Sequence, residues 1–230
     1  MIDTDFARSG MAQFEILDFP ESGKMAVAIP RLRSAASLVL VIDVQDKLLA
    51  AMPDAGRLVR NIRFLLDVAG LLEVPIRATE QYPKGLGSTT AEVRQRLPES
   101  LAIPAKPRFS CQGIAGVVNA SPDPADSDVT ELDSGDPSAP GAIIVCGIES
   151  HVCVLQTVLD FRAAGLPVFL PVDAMASRAV LDHDLAIRRM ERAGAVATTV
   201  ETIAFEWLGD ASHPQFKAIS RLVVERASAS

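Results

Sequence analysis

The sequence predicts an α/β protein whose parallel sheet is flanked by helices on both sides. Short, continuous apolar segments such as residues 37–43 and 141–147 have the composition of strands buried on both faces. Segments with apolar residues at helical spacing, such as residues 57–72, follow them along the chain. Alternation of strands and helices is typical of a parallel sheet with helices packed on its two faces. The 230 residues suit one domain, and a hydrophobic content of 49% is enough to cover such a sheet.

The predicted elements follow one another from residue 37 onward. The strands are predicted over residues 37–43, 73–79, 101–105, 141–147, 166–172 and 195–199. The helices are predicted over residues 57–72, 89–97, 151–165, 180–193, 202–208 and 215–226. Gly165 and Gly194 are placed to end two of these helices, because glycine readily adopts the left-handed conformation found there.

Two segments fall outside this pattern. Residues 1–34 are mixed in composition and are interpreted as an N-terminal extension of a domain that spans residues 35–226. Within that domain, residues 115–141 are predicted to form a flexible acidic insertion. Residues 119–140 carry six acids and no Lys or Arg, and too few apolar side chains to offset the entropy of ordering them. A partner-binding acidic loop is the alternative interpretation.

Charge and composition narrow the functional classes. The net charge is −7 and the basic residues are scattered among acids, which disfavours a nucleic-acid partner. The longest apolar run, residues 35–43, is too short to span a membrane, and no N-terminal stretch is typical of a signal peptide. Three irregularly spaced cysteines do not form a disulfide pattern. The cysteine usage favours the cytoplasm. Independently of the composition, we also expect a homo-oligomer that acts on a small-molecule substrate.

Three reactive side chains lie at or just after the ends of predicted strands. Asp43 ends the first strand, Lys106 follows the third, and Cys153 comes shortly after the fourth, where a helix begins. Ligands of an open parallel sheet bind beyond the carboxyl ends of its strands. A helix N-terminus and a nearby ammonium would both favour a thiolate at Cys153, and Asp43 could accept the thiol proton. Taken alone, however, each residue also has a structural interpretation, since a cysteine is often a small buried hydrophobe.

The combination of motifs resembles a known family. Residues 41–45 (Val-Ile-Asp-Val-Gln), 106–110 (Lys-Pro-Arg-Phe-Ser) and 147–153 (Gly-Ile-Glu-Ser-His-Val-Cys) occur in the order of the three signature regions of the isochorismatase-like cysteine hydrolases. Supporting stretches lie at residues 79–87, 173–178 and 213–217. The chain is most similar to the isochorismatase domain-containing subgroup, over residues 36–226 apart from the insertion.

The resemblance implies a three-layer α/β/α fold of Rossmann type with a six-stranded parallel sheet. It implies an Asp-Lys-Cys catalytic triad at Asp43, Lys106 and Cys153. It further implies a cis peptide between Ile148 and Glu149, with the amides of Glu149 and Cys153 forming an oxyanion hole.

No metal or other cofactor is expected. Family members that hydrolyse nicotinamide carry closely spaced metal-binding histidines, whereas the three histidines of this chain are dispersed. Members that act on isochorismate itself lack the cysteine, so Cys153 argues against that reaction.

The function predicted from these residues is hydrolysis of a small amide-like C–N bond through a thioester on Cys153. Gln45, Tyr82 and Phe109 are candidate walls of the substrate pocket, and a structural role is an equal alternative for each. A non-catalytic oligomer that binds a metabolite is the alternative for the whole protein, and thiolate redox sensing is a third interpretation.

Overall fold

The computed structural model of the protein describes residues 31–114, 117 and 141–228. The predicted N-terminal extension lies outside the described residues except for positions 31–34. The predicted acidic insertion likewise lies outside them except for Val117 and Gly141.

All strand pairs of the sheet are parallel. The strands are β1 (Ser37–Ile42), β2 (Ile76–Gln81), β3 (Ala105–Lys106), β4 (Ala142–Ile148), β5 (Val168–Pro171), β6 (Met175–Ala176) and β7 (Val196–Thr198). Six of them follow the order β3-β2-β1-β4-β5-β7, and the short β6 adds to the end of β4. The strand order reverses direction between β1 and β4. Crevices at such reversals are where ligands of this fold type bind.

Helices connect the strands and lie on both faces of the sheet. They are α1 (Asp46–Leu49), α2 (Ala55–Leu71), α3 (Pro83–Leu86), α4 (Ala91–Arg94), α5 (Leu155–Ala163), α6 (Val180–Arg192), α7 (Val200–Leu208) and α8 (Phe216–Ser228). A five-residue π-helical turn, Ser150–Val154, precedes α5. None of the helices in the described ranges is both long and apolar enough to cross a membrane.

The sheet separates two hydrophobic cores because successive side chains of each strand point to opposite faces. On one face, Val39 and Val41 of β1 share a core with side chains of α2 and α7. On the other face, Leu38 and Leu40 of the same strand share a core with side chains of α5 and α6. Burial on both faces explains why β1 and β4 are continuous apolar runs in the sequence.

The predicted α/β architecture is confirmed, and the differences are local. The sheet has a seventh, two-residue strand, β6, that the sequence did not predict. The predicted strand at residues 101–105 is reduced to Ala105–Lys106. The predicted helix from residue 151 begins instead as the π turn. The short helices α1 and α3 were not predicted because four-residue helices show no measurable periodicity.

One glycine sets how closely the two central strands approach. Gly147 pairs with Ile42 across β1 and β4, and its backbone has a positive φ of 115°. A Cβ atom built on Gly147 would lie 2.1 Å from the carbonyl oxygen of Ile42. No side chain fits there, so glycine is required at this position. The close contact fixes the end of β1, where Asp43 follows, against the end of β4, which leads to Cys153.

Candidate active site

Asp43 is fully buried at the carboxyl end of β1. Its backbone has a positive φ of 53°, which turns the chain sharply after the strand. One carboxylate oxygen, Oδ1, accepts a hydrogen bond of 2.9 Å from the hydroxyl of Thr79. The other, Oδ2, accepts one of 2.7 Å from Nζ of Lys106. Both oxygens therefore have defined partners, which fixes the orientation of the carboxylate.

Lys106 is buried at the end of β3, and its ammonium is fully hydrogen-bonded. Besides Asp43, Nζ donates to Oε1 of Gln81 at 2.8 Å and to the carbonyl oxygen of Phe109 at 2.8 Å. An ammonium has three N–H donors, so all of them are used within the protein. Lys106 consequently acts on the site through its position and charge.

Cys153 lies in the π turn between β4 and α5, and 5% of its surface is exposed. Its Sγ lies 3.9 Å from Oε1 of Gln81, the atom that also binds Lys106. Asp43 and Lys106 both act on the thiol through their charges. The structure thus brings Asp43, Lys106 and Cys153 together at the carboxyl edge of the sheet, with Gln81 between the ammonium and the thiol.

The electrostatics of Cys153 differ from the expectation of a stabilised thiolate. Burial raises the pKa of the Cys153 thiol, and the neighbouring charge of Asp43 raises it further, while Lys106 opposes both. Because Lys106 is already paired with Asp43, its charge does not overcome these two effects. The surroundings of Cys153 therefore favour the neutral thiol over the thiolate.

Cys111, for which the sequence suggested no role, borders the same carboxylate network. Its Sγ lies 3.6 Å from the hydroxyl of Thr79, which donates to Asp43. Its backbone N–H donates to Oγ1 of Thr157 at 3.0 Å, and that hydroxyl donates to the carbonyl oxygen of Cys153 at 2.7 Å. Thr157 thereby joins the loop after β3 to the π turn that carries Cys153. Burial raises the pKa of Cys111.

The peptide bond between Ile148 and Glu149 is cis. The Glu149 side chain next to it is buried and bound by Arg178, with contacts of 2.9 Å to Oε1 and 3.1 Å to Oε2. The backbone N–H of Arg178 also donates to Oε2 at 3.2 Å. These bonds tie the start of the π turn that carries Cys153 to the segment between β6 and α6.

The candidate pocket residues have different surroundings. Tyr82 directly follows Gln81 along the chain, and the carbonyl oxygen of Phe109 accepts a hydrogen bond from Lys106. Tyr82 and Phe109 are 61% and 48% exposed. Gln45 is fully buried, and its amide bonds to the backbone N–H and carbonyl of Gln81 at 2.8 and 3.1 Å. Gln45 thus holds the strand end that carries Gln81. A wall function stays a prediction for all of them.

Metal binding was not expected from the sequence. In residues 31–114 and 141–228, no group of three or more His, Cys, Asp or Glu side chains is arranged to hold a metal ion. Two of the histidines instead bond to serines in or near the π turn Ser150–Val154. Nδ1 of His183 lies 2.9 Å from Oγ of Ser150, and Nδ1 of His151 lies 2.9 Å from Oγ of Ser177.

Sequence reasoning did not assign a role to Thr79 or Gln81, although both lie in a stretch that it singled out. Alternate residues of a strand point to the same face, so a polar pair two residues apart at the end of a buried strand was a usable signal. Cys111, Thr157 and Arg178 gave no comparable signal, because their contacts depend on how distant loops meet.

Comparisons with known proteins agree with this fold. The family model described as "Isochorismatase domain" matches residues 136–202. Isochorismatase domain-containing protein 2 of Pongo abelii is 37% identical over 88% of this chain and 92% of its own length. A solved structure described as MAR1 ribonuclease from Caenorhabditis elegans is 34% identical, with a TM-score of 0.72 over 85% of this chain and 93% of that one. The Escherichia coli YcaC structure, described as an octameric hydrolase of unknown specificity, shares the fold at 23% identity and a TM-score of 0.63, covering 87% of this chain and 98% of that one.

The matched segment, residues 136–202, includes Cys153 and its turn, whereas the similarity to the full-length relatives extends over most of the chain. The shared identity over nearly the whole length of such relatives, together with the common fold, shows that this chain belongs to the isochorismatase domain family of isochorismatase-like hydrolases.

Proposed function

We propose that the protein is a cysteine hydrolase that cleaves a small amide-like C–N bond through a thioester. The observation that carries this proposal is the buried network in which Asp43 binds Lys106 at 2.7 Å, while Oε1 of Gln81 contacts both Lys106 and the Cys153 thiol. A carboxylate next to a protonated thiol is a base next to a nucleophile. Membership of a hydrolase family supports the reaction class.

In the first half-reaction, Asp43 takes the thiol proton as Sγ of Cys153 forms a bond to the substrate carbonyl carbon. The raised pKa of the Cys153 thiol makes transfer during the attack, rather than a standing thiolate, the consistent route. The backbone amides of Glu149 and Cys153 are proposed to hold the developing oxyanion. The C–N bond then breaks, and Asp43 returns the proton to the leaving ammonia or amine.

In the second half-reaction, water attacks the thioester carbonyl while Asp43 accepts one of its protons. The C–S bond breaks, the carboxylic acid product leaves, and the proton returns to Sγ of Cys153. Throughout the cycle, Lys106 keeps the carboxylate oriented and balances its charge in a buried site. Tyr82 and Phe109 are proposed to contact the part of the substrate that does not react.

The test is a panel of small primary amides, with ammonia release and intact-protein mass spectrometry as readouts. Wild-type protein should release ammonia and accumulate a mass increase equal to the acyl group on Cys153. Cys153→Ala should show neither, whereas the matched control Cys146→Ala removes a thiol that is fully buried in β4 and should retain both. Ammonia release that survives in Cys153→Ala would refute the assigned nucleophile.

A non-catalytic member that binds a metabolite is the second candidate, and one observation favours it. The Cys153 side chain is buried and its thiol pKa is raised, as expected for a cysteine kept unreactive. The same panel separates the two candidates. Saturable ligand binding without acylation in wild-type protein would support the binding role.

Self-association forms part of the proposal, and the octameric description of YcaC supports it. We do not extend the ribonuclease description of the Caenorhabditis elegans relative to this chain. The net charge of −7 of the present chain is unsuited to a polyanionic substrate such as RNA.

A further inference from the structure

The exposed face of helix α6 has the properties of a contact surface. We propose that two copies of this chain associate through α6, with the two helices antiparallel and related by a twofold axis near their middle. This inference concerns the surface outside the catalytic network and does not depend on the reaction proposed above.

The first two turns of α6 expose a cluster of apolar side chains. Among the described residues, seven large hydrophobic side chains are exposed, and three of them are Val180, Leu181 and Leu185, at 67%, 69% and 53% exposure. Single exposed hydrophobic residues are common on protein surfaces, whereas clusters mark contact sites. Leu181 and Leu185 are neighbours on one helix face, since residues four apart lie one above the other.

Charges on the same helix are separated along its length. The first turns carry Asp182 and Asp184, and the last turns carry three bases, Arg188, Arg189 and Arg192, with one acid, Glu191. In the described part of the chain, no ion pair involves Asp184, Arg188, Arg189 or Arg192. The helix therefore presents an acidic and apolar first half and a predominantly basic second half. Asp182 lies 3.9 Å from His151, whereas Asp184 and the three arginines form no ion pair among the described residues.

A second copy of α6 complements this pattern when it runs in the opposite direction. At the α-helical rotation of about 100° per residue, Leu181, Leu185, Arg188 and Arg192 lie along one exposed line. An antiparallel copy places Leu185 against Leu185 of the other chain and Leu181 against the methylene stems of arginines. Asp184 of each chain then faces Arg188 of the other. A twofold interface requires a surface complementary to itself, and this arrangement supplies one.

The proposed interface lies directly behind the π turn that carries Cys153. His183 of α6 bonds to Ser150 of that turn at 2.9 Å, and His151 of the turn bonds to Ser177 just before α6. On the other side of α6, Ala186 and Met190 are buried in the core that α5 and α6 share with the sheet. Pairing of the exposed faces would consequently hold both the helix and the turn in place.

Charge reversal with complementation tests the proposal. Sedimentation velocity or light scattering should show wild-type protein above its monomer mass of 24.5 kDa. Asp184→Arg alone and Arg188→Asp alone each place like charges opposite one another at two symmetric positions, so each should weaken association by about tenfold or more. An equimolar mixture of the two variants restores opposite charges at both positions and should associate as wild type does, as should the double variant Asp184→Arg/Arg188→Asp.

Matched controls lie on α8, which packs on the opposite face of the sheet. Arg221→Asp reverses an exposed charge there, and Val224→Glu replaces an apolar side chain that is 64% exposed. Both should associate as wild type does, whereas Leu185→Glu should not. Wild-type protein that remains monomeric, single variants that associate normally, or a mixture that fails to recover association would each overturn the proposal. Circular dichroism confirms that every variant is folded.

Discussion

Removal of the buried ammonium of Lys106 should be among the most destabilising changes in the protein. The substitution Lys106→Met keeps most of the side-chain volume but removes the ammonium donor from three acceptors: the buried Oδ2 of Asp43 and Oε1 of Gln81, and the partly buried carbonyl oxygen of Phe109. Loss of the bond to Asp43 is the most costly of these, because it leaves a buried acid without its counter-charge.

The expected loss of unfolding free energy follows from the burial of the ion pair, since the side chains of Lys106 and Asp43 are both 0% exposed. Breaking a buried ion pair by removal of one partner costs about 3–5 kcal/mol. For a domain of this size, 1 kcal/mol corresponds to about 2–4 °C, so the melting temperature should fall by roughly 6–20 °C. The double variant Asp43→Asn/Lys106→Met removes both charges and should lose only about 1–3 kcal/mol, the range for unsatisfied polar groups.

The assay is urea denaturation of wild type, both single variants and the double variant, analysed as a double-mutant cycle. Lys84→Met, at an exposed lysine on α3, is the matched control and should change the unfolding free energy by less than about 0.5 kcal/mol. A loss below about 1 kcal/mol for Lys106→Met, or a double variant as unstable as the sum of the single variants, would refute the buried ion pair.

Three further predictions concern the strands and the thiols. Gly147→Ala should destabilise the protein by roughly 3 kcal/mol or more, because its Cβ would overlap the β1 backbone; Gly165→Ala, also at positive φ but with open space around it, should cost less in the same urea titration. Asp43→Asn should speed iodoacetamide labelling of Cys153 near pH 8, because the carboxylate raises the pKa of that thiol, with about tenfold faster labelling for each pKa unit removed; unchanged or slower labelling by peptide mass spectrometry would contradict this. Burial raises the pKa of Cys146 from 9.0 to about 12, so the stability that its neutral thiol contributes is complete below pH 9 and is lost as pH rises toward 12. Cys146→Ala should therefore show a shallower alkaline loss of unfolding free energy than wild type, and an equally steep loss would count against it.

The sequence predicted the fold well because the residue patterns that indicate a strand or a helix are local. Apolar runs bounded by turns mark β1 and β4, and helical spacing marks α2, so each element could be found within its own segment. The placement of Asp43, Lys106 and Cys153 followed from one rule, that the carboxyl ends of parallel strands share an edge. Neither kind of inference needed the distances between strands.

Properties that depend on several distant segments could not be predicted. The raised pKa of Cys153 is a balance between burial, Asp43 and Lys106, and the sequence showed the charges but not the burial. Cys111 reaches the network only because Thr157 of α5 binds its backbone N–H. Gln81 was visible as a polar residue at a strand end, but its contact with Lys106 depends on the pairing of β2 with β3.

The strand order also dictates which side chain can supply the positive charge. Strand β2 lies between β1, which leads to Asp43, and β3, which ends with Lys106. Two strand spacings amount to about 9–10 Å, a distance that the extended Lys106 side chain, its 2.7 Å hydrogen bond and the Asp43 side chain bridge together over the end of β2. Thr79 and Gln81 lie at the end of that intervening strand and both bond to the bridge. A designer who moves this chemistry to another parallel sheet would therefore need three strands, with hydrogen-bonding side chains on the middle one.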